Sequence, residues 1–225
     1  MTRSYEAVFF DMDGTLVNSE PHWLEAETEL MAEFGYQWTT EDQRFCLGGP
    51  LPKIGIYMWN LADKKQTPEW FHQQLVERTI EKLRHRIEYM PGALNLFTAL
   101  KDDGVPVGLV TASPAKLMEG TILSMSPLVF DVAVSGDDVK VTKPDPEGYL
   151  LAANLLGVDI RNSIVLEDSL TGIAAAQGSG AFVVAIPHMV KVEPTERQVV
   201  IRSLEELSPG RLEEFFVTSR TERAI

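Results

Sequence analysis

The stretch Ala7-Val8-Phe9-Phe10-Asp11-Met12-Asp13-Gly14-Thr15-Leu16-Val17 decides the fold. Its opening residues form an apolar run of strand type, which delivers two carboxylates, one residue apart, onto a turn that Gly14 permits. In an open α/β sheet, ligands bind in the crevice at the carboxyl ends of the strands. Two acids placed there are either a costly like-charge cluster or part of a site that brings a cation.

Working outward, residues from about 18 to 88 read as entirely helical. Asn18-Ser19-Glu20 leads into Pro21, a helix start with proline in the first turn, and Trp23, Ala26, Leu30, Met31 and Phe34 recur at helical spacing before Gly35. Thr39-Thr40-Glu41-Asp42 is a second helix start, Leu47-Gly48-Gly49-Pro50 is a break, and an apolar helix spans about Leu51 to Leu61. Thr67-Pro68-Glu69 opens a long helix with Phe71, Leu75, Ile80, Leu83 and Ile87 on its inner face. From Met90-Pro91-Gly92 onward, helix and strand alternate. Strands are predicted at 105–110, 131–134, 163–166 and 181–186, with helices at 93–103, 114–124, 146–156 and 172–177; the polar tail beyond Phe216 is expected to fray. Such alternation implies an α/β, Rossmann-like, doubly wound parallel sheet covered on both faces. The expected division is a discontinuous core, 1–17 and 89–225, interrupted by an all-helical cap at 18–88. An insertion at that point sits beside the carboxyl end of the first strand, the right place for a lid over Asp11 and Asp13.

The chain of 225 residues carries a net charge of −13, which argues against a nucleic-acid or anionic-membrane surface. No apolar run approaches the roughly 20 residues that span a bilayer. No signal peptide is visible, and the lone Cys46 excludes an internal disulfide and reads as a buried filler. A soluble cytoplasmic protein is expected, with a monomer as the default.

Three predicted strand ends carry polar residues: Asp11 with Asp13, Thr111 with Ser113, and Glu167 with Asp168. Lys143, in Val141-Thr142-Lys143-Pro144-Asp145-Pro146, stands on a loop that starts a helix. A carboxylate, a hydroxyl, a lysine and further carboxylates are the parts needed for phosphoryl transfer through an aspartyl phosphate. A carboxylate attacks phosphorus as a nucleophile, but the group it approaches is anionic, so the repulsion must be offset by a divalent cation and by hydrogen-bond donors. The candidate ligands are all hard oxygens, which points to Mg²⁺. Taken singly, each element has a bland reading: Asp-x-Asp-Gly as a calcium loop or surface turn, Thr111 as a strand-end cap, Lys143 as a solvated charge, and Glu167-Asp168-Ser169 as a helix cap. Their joint occurrence at strand ends outweighs these. His22, His72, His85 and His188 lack the spacing of a metal site. Gln177-Gly178-Ser179-Gly180 is no nucleophile elbow, Gly48-Gly49-Pro50 lacks the ending of a phosphate loop, and Trp59, Trp70 and Phe71 read as core of the helical part.

Asp11-Met12-Asp13-Gly14-Thr15, Thr111, Lys143-Pro144-Asp145-Pro146 and Glu167-Asp168-Ser169 resemble, in order, the four motifs of the haloacid dehalogenase superfamily. The helical insertion resembles that family's first type of cap, and the resemblance covers the whole chain. It implies Asp11 as the nucleophile that becomes phosphorylated. Asp13 would be the general acid and then the base, its main-chain carbonyl facing the metal. Thr111 and the N–H of Ala112 would grip the phosphoryl oxygens beside Lys143. Asp168 would complete the Mg²⁺ shell, with Glu167 either a ligand or its support. Asp13 counts against the dehalogenase branch, which lacks an acid there. Within the family, the nearest likeness is to phosphosugar phosphatases and beta-phosphoglucomutases. Trp23 stands where the mutases carry a histidine and Leu51 where they carry an arginine, although Lys53 lies close by. Ser19-Glu20-Pro21-His22-Trp23 resembles the hexose and hexitol phosphatases, including the 2-deoxyglucose-6-phosphatase type; Asn18 replaces an aspartate common there. The expected function is thus a Mg²⁺-dependent phosphatase of a small phosphorylated metabolite, a sugar or polyol phosphate, with Glu20, Trp23 and Lys53 facing substrate. A phosphosugar mutase and a non-catalytic phosphometabolite-binding protein are the alternatives.

Overall fold

The computed structural model describes residues 3–46, 51–187 and 191–221. The expected break at 47–50 and His188 lie outside the described residues. The chain forms two compact units: one comprises Met1–Asn18, Glu88–Met118 and Pro127–Ile225, the other Ser19–Ile87 together with Glu119–Ser126.

The first unit is built on a parallel sheet. Its strands are β1 (Val8–Phe10), β2 (Val107–Val110), β3 (Val132–Val134), β4 (Ile164–Glu167), β5 (Phe182–Ala185) and β6 (Gln198–Val200), in the spatial order β3-β2-β1-β4-β5-β6. β1 is central, with Val8 in register with Val107 of β2 on one side and Ile164 of β4 on the other. β1, β2, β4 and β5 are buried along their whole length, as expected of uninterrupted apolar runs covered on both faces. The strand order reverses between β1 and β4, so the crevice where such sheets bind ligands opens at the ends of these two strands.

Helices α5 (Ala93–Asp102), α6 (Ala115–Ser124), α7 (Glu147–Leu156) and α8 (Leu170–Ser179) connect the strands. Two elements of this unit have little sequence signal. β6 is a short edge strand opening with Gln198, whose buried amide accepts from Gln177 Nε2 at 2.8 Å and donates to the Glu193 carbonyl at 2.8 Å. Helix α9 (Pro209–Thr221) does not end at Phe216, contrary to the expected fraying. Leu212, Phe216 and Ser219 give it a buried stripe at helical spacing, and the Phe216 ring meets Tyr5 and Phe182 edge-on at 6.2 and 6.0 Å.

The chain leaves the sheet unit at Asn18 and re-enters at Glu88, and the two crossings are paired. Asn18 N donates to the Glu88 carbonyl at 2.8 Å, Met90 N donates to the Leu16 carbonyl at 3.0 Å, and Val17 bridges Tyr89. The insertion is therefore tied off four residues after Asp13, within the turn that follows β1.

The second unit contains α1 (Glu20–Ala32), α2 (Thr40–Cys46), α3 (Leu51–Leu61) and α4 (Pro68–His85). Ala26, Leu30, Met31, Cys46, Ile54, Met58, Phe71 and Leu75 form its core, with Trp23, Trp59 and Trp70 packed against it. Thr67 caps α4, accepting from Trp70 N at 3.1 Å. The second half of α6 belongs to this unit because Gly120 lies against Ile80 of α4; the sequence reads 114–124 as one helix and shows no break there. The Cys46 thiol is buried, and desolvation, with Glu27 and Asp42 nearby, pushes its pKa up to about 12, so it is an inert filler.

Glu27 is a buried acid in this unit. It is 5 % exposed, and burial, reinforced by Glu20 and Asp42, raises its pKa from 4.5 to about 8. The Trp38 indole N–H beside it acts against this rise without cancelling it. A carboxyl group whose folded-state pKa lies above its unfolded value loses stability as pH rises between the two values. Glu27→Gln is expected to match the wild type near pH 5 and to become more stable by a few kcal/mol, at most about 5, near pH 8. Thermal melts across that range check this; parallel curves for the two proteins would contradict it.

Candidate active site

β1 and β4 end side by side, and Asp11 N donates to the Leu166 carbonyl at 3.1 Å, carrying the ladder one residue beyond β1. This brings Asp11, Glu167 and Asp168 together: one carboxylate oxygen from each lies within 4.8 Å of the others. Among the described residues no other group of His, Cys, Asp and Glu side chains reaches this density.

Lys143, on the loop between β3 and α7, offsets part of the charge of this cluster. Its ammonium, on a side chain 7 % exposed, donates to Asp11 Oδ1 at 2.5 Å, Glu167 Oε1 at 2.7 Å and the Val110 carbonyl at 2.8 Å, which uses all its donors. Burial alone would lower the lysine pKa, but the Asp11 and Glu167 charges outweigh it and hold the ammonium above its ordinary value. Asp11 moves upward as well: desolvation raises its pKa, Lys143 lowers it, and Glu167, Asp168 and Asp13 raise it further.

Glu167 is fully buried and its two oxygens are saturated. Oε1 accepts from Lys143 Nζ and, at 2.8 Å, from the Tyr149 hydroxyl; Oε2 accepts from Asp168 N, Ser169 N and Ser169 Oγ at 3.2–3.3 Å. A Cβ on residue 172 would fall inside this carboxylate, so the first turn of α8 passes it only because Gly172 has none. Asp168 is held by Thr15, whose Oγ1 donates to Oδ1 at 3.2 Å. Gly14, at φ +84°, turns the chain after Asp13 where any side chain would strike the Asp168 carboxylate.

On the β2 side, Thr111 is buried, and its Oγ1 accepts from Ser113 N at 3.0 Å. Ser113 Oγ in turn donates to Asp13 Oδ2 at 2.9 Å. The Ala112 side is exposed to solvent. Asp11, Asp13, Thr111, Ala112, Lys143, Glu167 and Asp168 thus all lie in the sheet unit, at the ends of β1, β2 and β4 and on the loop before α7. Glu20, Trp23 and Lys53 lie in the helical unit. There Trp23 packs against the core, and the Lys53 ammonium sits 4.6 Å from the centre of the exposed Phe45 ring.

A model of the haloacid dehalogenase-like hydrolase family matches residues 8–186. The chain belongs to the haloacid dehalogenase-like hydrolases. Among its relatives in this family, hexitol phosphatase B of Escherichia coli K12 is 31 % identical over 191 residues, covering 82 % of this chain and 85 % of that protein. The phosphorylated carbohydrates phosphatase of Thermotoga maritima is 31 % identical over 176 residues, covering 78 % and 82 % respectively. Among solved structures, CbbY of Rhodobacter sphaeroides with bound phosphate shares 27 % identity and superposes with a TM-score of 0.77 over 90 % of this chain and 96 % of its own. A mutant of the same protein is in complex with xylulose-(1,5)bisphosphate.

Three further side chains of this haloacid dehalogenase-like site have no role assigned from the sequence. Thr15 falls within the Asp11–Thr15 motif, and Ser113 stands with Thr111 among the polar residues at a strand end. Tyr149 lies outside the sequence motifs, yet its hydroxyl holds Glu167 while the Lys143 ammonium lies 5.0 Å from the centre of its ring. The available signal is its place within the first turn of the helix that Lys143-Pro144-Asp145-Pro146 opens, next to the lysine that needs a counter-surface.

Proposed function

We propose that this chain is a Mg²⁺-dependent phosphatase of a sugar or polyol phosphate, working through a phospho-aspartate at Asp11. The observation that carries the reading is the Asp11 carboxylate itself: buried at the end of β1, backed by the Lys143 ammonium and flanked by the Asp168 oxygen. The relatives named for hexitol and carbohydrate phosphates support the substrate class.

The donor set suits Mg²⁺, being all hard oxygen with neither His nor Cys. Asp11, Asp168 and the main-chain carbonyl of Asp13 would hold it. Glu167, whose oxygens are already engaged by five donors, supports Asp168 and Lys143 instead. An ion held there would supply Lewis acidity.

The remaining steps belong to the chain. An Asp11 carboxylate oxygen attacks phosphorus, and the bond from phosphorus to the ester oxygen breaks. Asp13 gives its proton to that oxygen, so the alcohol leaves neutral and Asp13 is left ionised. The Thr111 hydroxyl, the Ala112 N–H and Lys143 hold the phosphoryl oxygens while charge spreads over them. Asp13 then takes a proton from water as the water oxygen bonds to phosphorus, and Asp11 leaves as the carboxylate.

The test is ³¹P NMR of the protein with phosphorylated sugars, polyols and nucleotides, with Mg²⁺ or with EDTA. Inorganic phosphate is expected from sugar or polyol phosphates, and only with Mg²⁺. Isomerised sugar phosphate without free phosphate would replace this reading with a mutase, and unchanged resonances throughout would replace it with a binding protein.

A further inference from the structure

Ser113 follows the phosphate-gripping pair Thr111 and Ala112 and has no part in the scheme above. Its backbone is pinned on both sides: Ser113 N donates to Thr111 Oγ1 at 3.0 Å, and its carbonyl accepts from Gly136 N at 2.8 Å. The 3₁₀ turn Gly136–Asp138 that supplies this contact also holds the start of α6, because Asp137 Oδ2 accepts from Ala115 N at 2.9 Å. The turn is itself fixed by a reciprocal cap, with Ser135 N donating to Asp138 Oδ2 at 2.7 Å. The Ser113 hydroxyl is therefore presented from a rigid loop, and it points at Asp13 Oδ2, 2.9 Å away.

A hydroxyl has one proton to donate. That of Ser113 is directed at Asp13, whereas Thr111 spends a lone pair on Ser113 N and keeps its own proton for a phosphoryl oxygen. The two hydroxyls of one loop are thereby given different tasks. In a neutral carboxyl group the carbonyl-type oxygen is the better acceptor, so a donor fixed on Oδ2 favours the proton on Oδ1.

We propose that Ser113 is the positioning residue of Asp13, orienting its carboxyl group so that Oδ1 hands the proton to the leaving oxygen and later takes one from water. This rests on the phosphatase reading of the same site. In the first half-reaction the phosphorus–ester oxygen bond breaks, its electron pair stays on the ester oxygen, and the Oδ1 proton joins it. In the second, the Oδ1 lone pair removes a water proton as the new phosphorus–oxygen bond forms and the acyl phosphate opens. Ser113 keeps its own proton throughout.

The consequence is selective. A leaving group that departs readily as an anion needs no proton, while an alkoxide does. kcat/KM, which reports the phosphorylation half-reaction, is measured for the wild type and Ser113→Ala with p-nitrophenyl phosphate, phenyl phosphate and a sugar phosphate. The variant is expected to stay within about threefold of wild type on p-nitrophenyl phosphate and to lose about tenfold or more on the sugar phosphate. Ser113→Thr, which keeps the hydroxyl, restores the sugar phosphate rate. Ser113→Cys, which keeps the bulk but donates weakly, shows the same split as alanine and serves if alanine disturbs folding. An equal loss on all esters, or no loss on any, would overturn the assignment while leaving the phosphatase reading intact. A folded wild type inert to the whole series would overturn both.

Discussion

Asp11→Asn is expected to abolish turnover in a protein that remains folded, lowering kcat by about 10⁴-fold or more. The amide keeps the shape of the carboxylate and still offers an oxygen to Lys143, which retains Glu167 and the Val110 carbonyl as partners. What it lacks is the anionic lone pair that bonds to phosphorus. Stability separates this loss from unfolding. Desolvation raises the Asp11 pKa above its unfolded value, so its ionisation weakens the fold as pH rises above the ordinary carboxylate range, and removing that charge relieves the cost. The variant should therefore melt no lower than the wild type at neutral pH. Phosphate release and a thermal melt on the same sample check both halves. Substantial residual turnover would contradict the covalent route.

Lys143→Met is expected to cost about 3–5 kcal/mol of stability at neutral pH, because removing one partner from a buried ionic cluster leaves the others uncompensated. Glu167 is fully buried and would keep only its neutral donors, and Asp11 would face it and Asp168 without an ammonium between. The sign of the pH dependence follows from linkage. A lysine held above its ordinary pKa contributes stability that is complete at neutral pH and is lost only as pH rises through and beyond the lysine range. In the variant the strain lies between carboxylates, so acid relieves it and the gap to wild type narrows as pH falls. Urea denaturation at several pH values reads both effects. A gap that stays constant or widens in acid would contradict the account.

Much of this site is legible in the sequence because a parallel sheet writes it in a simple form: a buried apolar run that stops at polar residues. Asp11 after Val8–Phe10, Thr111 after Val107–Val110, and Asp168 after Ile164–Glu167 all follow that rule. Lys143 stands out because its ammonium interrupts a Pro-rich loop rather than decorating a helix face. The supporting contacts are not written this way. Tyr149, Thr15 and Ser113 act through hydroxyls whose partners are 18, 153 and 100 residues away in the chain, so their neighbours in sequence do not show what each of them holds. β6 and α9 were obscured for a different reason. A three-residue edge strand beginning with Gln198 has no periodicity to read, and the Pro209-Gly210 start of α9 looks like a turn. The helical unit is the least legible part. Glu27 sits beside the apolar stripe of α1, and its burial, close enough to Asp42 and Cys46 for their charges to interact, is a tertiary fact that its charged side chain does not announce. The assignment of Glu20, Trp23 and Lys53 to substrate stands on the resemblance alone.

The central claim is that Asp11 carries the phosphoryl group during turnover. An acyl phosphate is reduced by borohydride, whereas a free carboxylate is not, so the side chain that held phosphate is converted to that of homoserine. The protein is mixed with Mg²⁺ and a substrate it turns over, quenched within one turnover, treated with borohydride, and digested for peptide mass spectrometry. The account predicts homoserine at position 11 in the wild type and none in Asp11→Asn. Homoserine at another position, or turnover with residue 11 unmodified at every quench time, would contradict it.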